Sequence, residues 1–265
     1  MEGILLVILV SVFGICVGSF INVVVFRTKS GDPIARGRSK CTKCLEPVAA
    51  IDLVPILSYF NLRGKCRSCS TVISWQYPAV ELAMGILFGL FFVKAVLLFA
   101  APAFVDSSEW LALFVRDAVM AAFLVIIFVY DFKYQYILDR FTIPAMMLAL
   151  VFNMALGADV TSMLLGGFLL GGFFAFQFLI SEGKWVGGGD IRMGMLMGFL
   201  LGFEYGLLAL FLSYILGAIA GIFLILTKKR KLSSQVPFGT FMAIGTIITM
   251  FFGQFILDWY LEFFV

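Results

Sequence analysis

Two kinds of residue in this sequence can do chemistry at the spacings they occupy: four cysteines in paired Cys-x-x-Cys turns, and a few acidic residues at the edges of apolar runs. Cys41-Thr-Lys-Cys44 and Cys66-Arg-Ser-Cys69 are separated by 21 residues. A Cys-x-x-Cys turn delivers two thiolates to one metal ion and a second pair completes a tetrahedral shell, so these four predict a zinc site. Basic residues beside each pair lower the cost of thiolate charge. Two disulfides, or an iron–sulfur centre on the same thiols, are the chemical alternatives. Four thiolate ligands leave no open coordination position, so such a zinc ion is structural and contributes folding free energy. Cys16, inside the first apolar run, reads as a packing residue.

The chain has no histidine, which excludes His-dependent serine, cysteine and zinc hydrolases of the usual kinds. Acid–base work falls to carboxylates, and four stand out: Asp52, Glu81, Asp131 and Asp190. Asp131 closes the run AAFLVIIFVYD, and Asp190 closes KWVGGGD, where three glycines permit a tight turn and close backbone approach. Two carboxylates at one membrane depth can share a proton and activate water against a peptide carbonyl. The plainer readings are a boundary carboxylate in water for Asp131 and an N-cap for Asp190. An ion-coupled transporter also places Asp residues and glycine breaks near its sites. Glu81 lies a turn inside an apolar run and calls for a partner. Asp139 is expected to pair with Arg140, and Asp117 with Arg116.

The elements that position these groups are membrane helices. The chain is 62% hydrophobic and 13% charged over 265 residues. Its apolar runs, near 4–26, 78–99, 110–130, 141–156, 162–180, 191–203, 206–227 and 238–257, predict about eight spans, many near the ~20 residues a bilayer requires. The sixth is short, and a broken or extended helix is one way to build it. The N-terminal run lacks a basic start and a small-residue cleavage site and reads as a retained helix. With the N-terminus outside, every Lys and Arg except Lys94 and Arg116 falls in a cytosolic segment, including the cluster Lys228, Lys229, Arg230 and Lys231. The outer loops carry Asp106, Glu109, Asp159, Glu204, Asp258 and Glu262. Lys94 and Arg116 are expected near outer helix ends, where they can snorkel. The expected fold is therefore an all-α polytopic membrane protein with a small cytosolic four-cysteine zinc-binding segment. Its parts are a first transmembrane helix at 1–26, the cytosolic segment at 27–77, and a transmembrane domain at 78–265. The basic patches point to anionic lipid headgroups as partners and not to nucleic acid. No sequence signal sets an oligomeric state, and the pairs Gly166-Gly167 and Gly171-Gly172 read as intramolecular packing.

The order of these motifs strongly resembles the bacterial type IV prepilin peptidases, bifunctional membrane enzymes of the GxGD aspartyl protease group. The resemblance runs from GICVGSFINVVVFR at 14–27, through CTKC, DLVPILSYFNLRGKCRSC at 52–69 and ISWQYPAVEL at 73–82. It continues through DFKYQYILD at 131–139, GGGD at 187–190 and PFGTF at 237–241. It implies a protein of the bacterial cytoplasmic membrane that cleaves the basic leader of prepilins and pseudopilins on the cytosolic side of a glycine–hydrophobic junction. It further implies methylation of the new N-terminal amine by S-adenosylmethionine. The catalytic aspartates fall on Asp131 and Asp190, the zinc ligands on Cys41, Cys44, Cys66 and Cys69, and acidic positions associated with methyl transfer on Asp52 and Glu81. A membrane subunit that has lost activity would keep the fold, but both aspartates are present. Three departures stand out. Ile137-Leu138-Asp139 replaces Ile-Pro-Asp, Arg192 takes the place of a lysine after the second aspartate, and Thr240 stands where the motif often ends in proline. The change at 192 keeps the charge and alters its geometry.

Overall fold

The computed structural model describes residues 2–99, 107–227 and 237–263. Among these the chain is all-α, with eight α-helices, one 3-10 turn and two isolated antiparallel bridges, Lys40–Pro47 and Lys65–Val72. The basic cluster at 228–231 and Asp106, both used above to orient the chain, lie outside the described residues. The helices are α1 (Glu2–Ser30), α2 (Leu57–Asn61), α3 (Gln76–Phe99), α4 (Ser107–Tyr134), α5 (Asp139–Ala155), α6 (Val160–Ile180), α7 (Gly188–Leu226) and α8 (Phe238–Glu262). Six of them, α1, α3, α4, α6, α7 and α8, are long and apolar enough to cross a membrane. The expected fourth span is α5, which has only 17 residues and carries Pro144 inside it. The expected sixth and seventh spans are the two halves of α7. The chain divides into two compact units, residues 1–105 and 106–265.

In the first unit α1 and α3 pack antiparallel through glycines on both helices. A Cβ on Gly18 would stand 2.7 Å from Glu81 Cα, one on Gly14 2.6 Å from the Met84 carbonyl, and one on Gly85 2.6 Å from Ile15. Small residues one turn apart let the two backbones meet, the usual way apolar helices associate without a hydrophobic driving force. Buried Asn22 lies where the start of α3 meets α1. Its amide donates to the Gly18 and Tyr77 carbonyls, and its oxygen accepts from Gln76. Cys16 is exposed, contrary to the packing expected of it. It sits two residues from both Gly14 and Gly18, so on a 3.6-residue helix it points away from the α3 contact. Beyond α1, Arg27 donates to the carbonyls of Pro33, Ile34, Arg36 and Gly37 and gathers the first loop around one guanidinium.

In the second unit α7 packs against α5, α6 and α8, and α4 against α5 and α8. The helical path of α7 breaks at Gly202 (φ 79°, ψ −173°), a conformation essentially reserved for glycine. A Cβ on Gly206 would lie 3.5 Å from Gly198 Cα, whereas residues eight apart in a continuous helix are separated by about 12 Å. The chain therefore doubles back at Gly202. Side chains from neighbouring helices satisfy the backbone groups this frees. Asn153 donates to the Phe199 and Leu200 carbonyls at 2.9 and 2.8 Å, and Ser162 accepts from the Phe203 N–H at 3.0 Å. Arg116 holds the Asn153 oxygen and the buried Asp117 carboxylate. The expected Arg116–Asp117 pair is present, but Arg116 points into this network and does not snorkel. Gly166, Gly167 and Gly171 lie against Gly202, Phe199 and Met195, as intramolecular packing requires, while Gly172 faces open space.

Candidate functional site

Two constellations stand out, one in each unit. In the first, the four cysteine sulfurs lie within 4.8 Å of one another. The Cys41–Cys69 Sγ separation is 3.8 Å, matching the edge of about 3.8 Å expected for a tetrahedron of ~2.3 Å Zn–S bonds. Each pair sits in the same turn. The Cys41 N–H donates to the Glu46 carbonyl and the Cys41 carbonyl accepts from Leu45; Cys66, Thr71 and Ser70 repeat the pattern. Leu45 (φ 60°) and Ser70 (φ 56°) adopt left-handed backbone to close these turns. The sulfurs are electrostatically unequal. The Thr71 hydroxyl and N–H draw the Cys69 thiol down to about 6, and the Cys44 and Lys43 N–H groups lower Cys41. Cys44 receives the Glu46 N–H, yet burial and its three sulfur neighbours push it up to about 12. Four sulfurs at these distances could hold a metal ion, and an all-sulfur tetrahedral donor set fits zinc.

The acidic residues of this unit brace the same region. Asp52, in the 3-10 turn Ala50–Leu53, receives both nitrogens of Arg67 at 2.7 and 2.6 Å, and that guanidinium holds its carboxyl below the ordinary range. Arg67 lies between Cys66 and Cys69, so the pair ties the second Cys-x-x-Cys turn to the 3-10 turn. Glu81, only 6% exposed, accepts the Ile56 N–H at 2.7 Å. Its expected partner is thus a backbone amide just before α2.

In the second unit each aspartate accepts a hydrogen bond from an N–H at a helix start. Asp131 lies in the last turn of α4 and is 4% exposed, so it is not the water-bathed boundary carboxylate that its place after an apolar run suggests. Its Oδ2 accepts the Thr240 N–H at 2.8 Å and the Thr240 hydroxyl at 3.1 Å. The α8 N-cap, Pro237, offers no side-chain bond, and Asp131 supplies from another helix what a capping side chain would. Asp190 is not an N-cap. It is the third residue of α7, and its Oδ2 accepts the Gly187 N–H at 2.8 Å. The Asp131 charge acts electrostatically on Asp190.

Buried Ile137 joins the two helix starts. A Cβ on Gly189 would stand 2.7 Å from the Ile137 Cβ; one on Gly239 would stand 2.9 Å from its Cγ1 and 3.0 Å from Asp131 Oδ2. Asp139 pairs with Arg192 at 2.5 Å and not with Arg140 as expected. Arg140, the next residue on α5, is exposed. Ile137, Gly239 and Thr240 were not singled out as functional by residue type. The available signal was that Ile137, Arg192 and Thr240 lie in the three motif departures.

Comparisons with known proteins place the chain among peptidases. The bacterial peptidase A24 N-terminal domain matches residues 12–95, and the type IV leader peptidase family matches residues 118–222. The chain is 30% identical to the prepilin leader peptidase/N-methyltransferase of Aeromonas hydrophila, over 96% of this chain and 93% of that one. It is 31% identical to the protein of the same name from Bacillus subtilis (strain 168), over 95% of this chain and 96% of that one. The Neisseria gonorrhoeae protein of that name is 31% identical over 84% of this chain and 83% of its own length. No solved structure matches the chain.

Proposed function

The chain belongs to the type IV leader peptidase family, and from that premise we propose that it cleaves the leader from prepilins and pseudopilins at a glycine–hydrophobic junction, using Asp131 and Asp190 to activate water. The observation that carries this reading is the pair of carboxylates, Asp131 buried and Asp190 half-buried, each anchored by a helix-start donor, with Ile137 packed against both helix starts. One carboxylate removes a proton from water while the water oxygen attacks the scissile carbonyl; the other donates its proton to the carbonyl oxygen. The resulting tetrahedral species collapses with C–N cleavage, the amine leaving with the proton taken from water. No acyl-enzyme forms. A prepilin segment behind the junction is apolar and suits a site built among membrane helices, where limited water protects the reaction.

The same reading sets eight membrane crossings, counting both halves of α7 and α5, with the N-terminus outside and residues 27–77 in the cytosol of a bacterium, at its inner membrane. The parts proposed are the first helix at 1–26, a zinc-binding and methyl-transfer segment at 27–77, and a peptidase domain at 78–265. Zinc on Cys41, Cys44, Cys66 and Cys69 stabilises the cytosolic segment. S-adenosylmethionine would supply an electrophilic methyl group to the new N-terminal amine. Asp52 and Glu81 are engaged by Arg67 and by the Ile56 N–H, so their proposed part is to hold the 50–67 stretch in the shape that step uses.

Mass spectrometry of a purified prepilin incubated with the protein and S-adenosylmethionine tests this. Leader loss with one added methyl supports both activities. Leader loss surviving in Asp131→Asn or Asp190→Asn would refute the two-aspartate mechanism.

A further inference from the structure

The two proposed catalytic aspartates match in residue type but not in hydrogen bonding. Asp190 Oδ2 accepts one N–H, from Gly187, whereas Asp131 Oδ2 accepts two donors, both from Thr240. Thr240 stands in the first turn of α8, where no carbonyl four residues back belongs to its own helix, and its buried hydroxyl bonds to a carboxylate on α4. Gly239 makes this approach possible, since a Cβ there would sit 3.0 Å from the same oxygen.

A carboxyl oxygen that accepts an N–H and an O–H has its lone pairs engaged and is a poor place for a proton. We propose that Thr240 is a positioning residue that commits Asp131 Oδ2 to accepting and presents Oδ1 to the nucleophilic water, so that Asp131 is the base and Asp190 the acid of the first step. In that step a water O–H bond breaks with its proton passing to Asp131 Oδ1, the water oxygen bonds to the scissile carbon, and the Asp190 proton passes to the carbonyl oxygen. Asp131 then returns its proton to the departing amine, and the gem-diol proton returns to Asp190. This assignment rests on the two-aspartate reading of the site.

Steady-state leader cleavage by Thr240→Val, Thr240→Pro and Thr240→Ser tests it, with Asp131→Asn in parallel and methylation of a pre-cleaved pilin as a second activity of the same preparations. Valine removes the hydroxyl and keeps the N–H; proline removes both donors; serine keeps both. The expected result is a kcat about tenfold lower for valine and lower again for proline, with KM within twofold, recovery by serine, and methylation unaffected; a hydrogen bond to a charged group is worth about this much. A valine or proline kcat within twofold of wild type, while Asp131→Asn is inactive, overturns the role of Thr240 and leaves the peptidase reading intact. Parallel loss of kcat, KM and methylation in both variants overturns it in favour of a purely structural contact. Cleavage by Asp131→Asn overturns both readings at once.

Discussion

The Asp139 carboxylate meets the Arg192 guanidinium at 2.5 Å, joining the first residue of α5 to the first turns of α7 two residues beyond Asp190. Both side chains are partly exposed, at 47% and 36%, so the pair is expected to contribute little to stability. A double-mutant cycle with Asp139→Asn and Arg192→Gln should return about 0.2–1 kcal/mol of coupling in equilibrium unfolding from detergent. A coupling above ~2 kcal/mol would show that the pair is better shielded than its exposure indicates. Arg192→Lys keeps the charge but not the guanidinium geometry, so it should recover only part of the coupling.

Ile137 fills the space that Gly189 and Gly239 leave open. Gly189→Ala should nearly abolish leader cleavage, because its methyl collides with the Ile137 Cβ. Ile137→Ala alone should cost about 2–5 kcal/mol of stability as a core truncation. Combined, the two should cleave faster than Gly189→Ala alone, since the clash is gone. Equal rates for the single and double variants would mean that Gly189 matters for its backbone conformation and not for this contact.

Asn153→Ala should be among the most destabilising single substitutions in the second unit. It leaves the Phe199 and Leu200 carbonyls and one face of Arg116 without their partner. Each unsatisfied buried group costs roughly 1–3 kcal/mol. Asn153→Asp should be no better, because a carboxylate offers no donor to either carbonyl. Unfolding midpoints in detergent would test both.

Elemental analysis of the purified protein should find one zinc per chain and no stoichiometric iron. Replacing any one of Cys41, Cys44, Cys66 or Cys69 by serine should abolish zinc retention. Such variants should lose methyl transfer before leader cleavage. A visible iron–sulfur absorption band would displace zinc from the site.

Arg67 holds the Asp52 carboxyl below its ordinary range. A carboxylate whose folded-state pKa is depressed contributes stability above its unfolded pKa and loses it as pH falls through the folded one. The contribution of the pair should therefore be constant from about pH 6 to 8 and fade only below the usual carboxylate range, near pH 4. Limited proteolysis of residues 50–67 in Asp52→Asn should be faster than in wild type by the same factor at the two neutral pH values. A difference that vanished between them would assign the titration to another group.

Much of this architecture was legible from the residues. Apolar runs gave the helices because lipid permits little else, and paired Cys-x-x-Cys turns gave the four-sulfur cluster because a short turn presents two sulfurs to one side. The site was legible only as far as its acids. That Asp131 would take its donors from Thr240 depends on two segments 109 residues apart meeting, and no local pattern encodes such a meeting. Asp139 was paired by adjacency with Arg140, whereas packing delivered Arg192. The fold at Gly202 showed in the sequence only as a short sixth run, and its polar supports, Asn153 and Ser162, come from other helices.

That fold has a consequence for depth. From Gly188 to Gly202 the first half of α7 rises about 20 Å, well short of the ~30 Å hydrocarbon slab. One end of this half-helix must therefore be submerged. At the Gly202 end, the Phe199 and Leu200 carbonyls and the Phe203 N–H are all satisfied by Asn153 and Ser162, which is the condition for an irregular backbone to rest out of reach of water. The corner's backbone can lie at the edge of the oil while exposed Glu204, two residues on, reaches the headgroups.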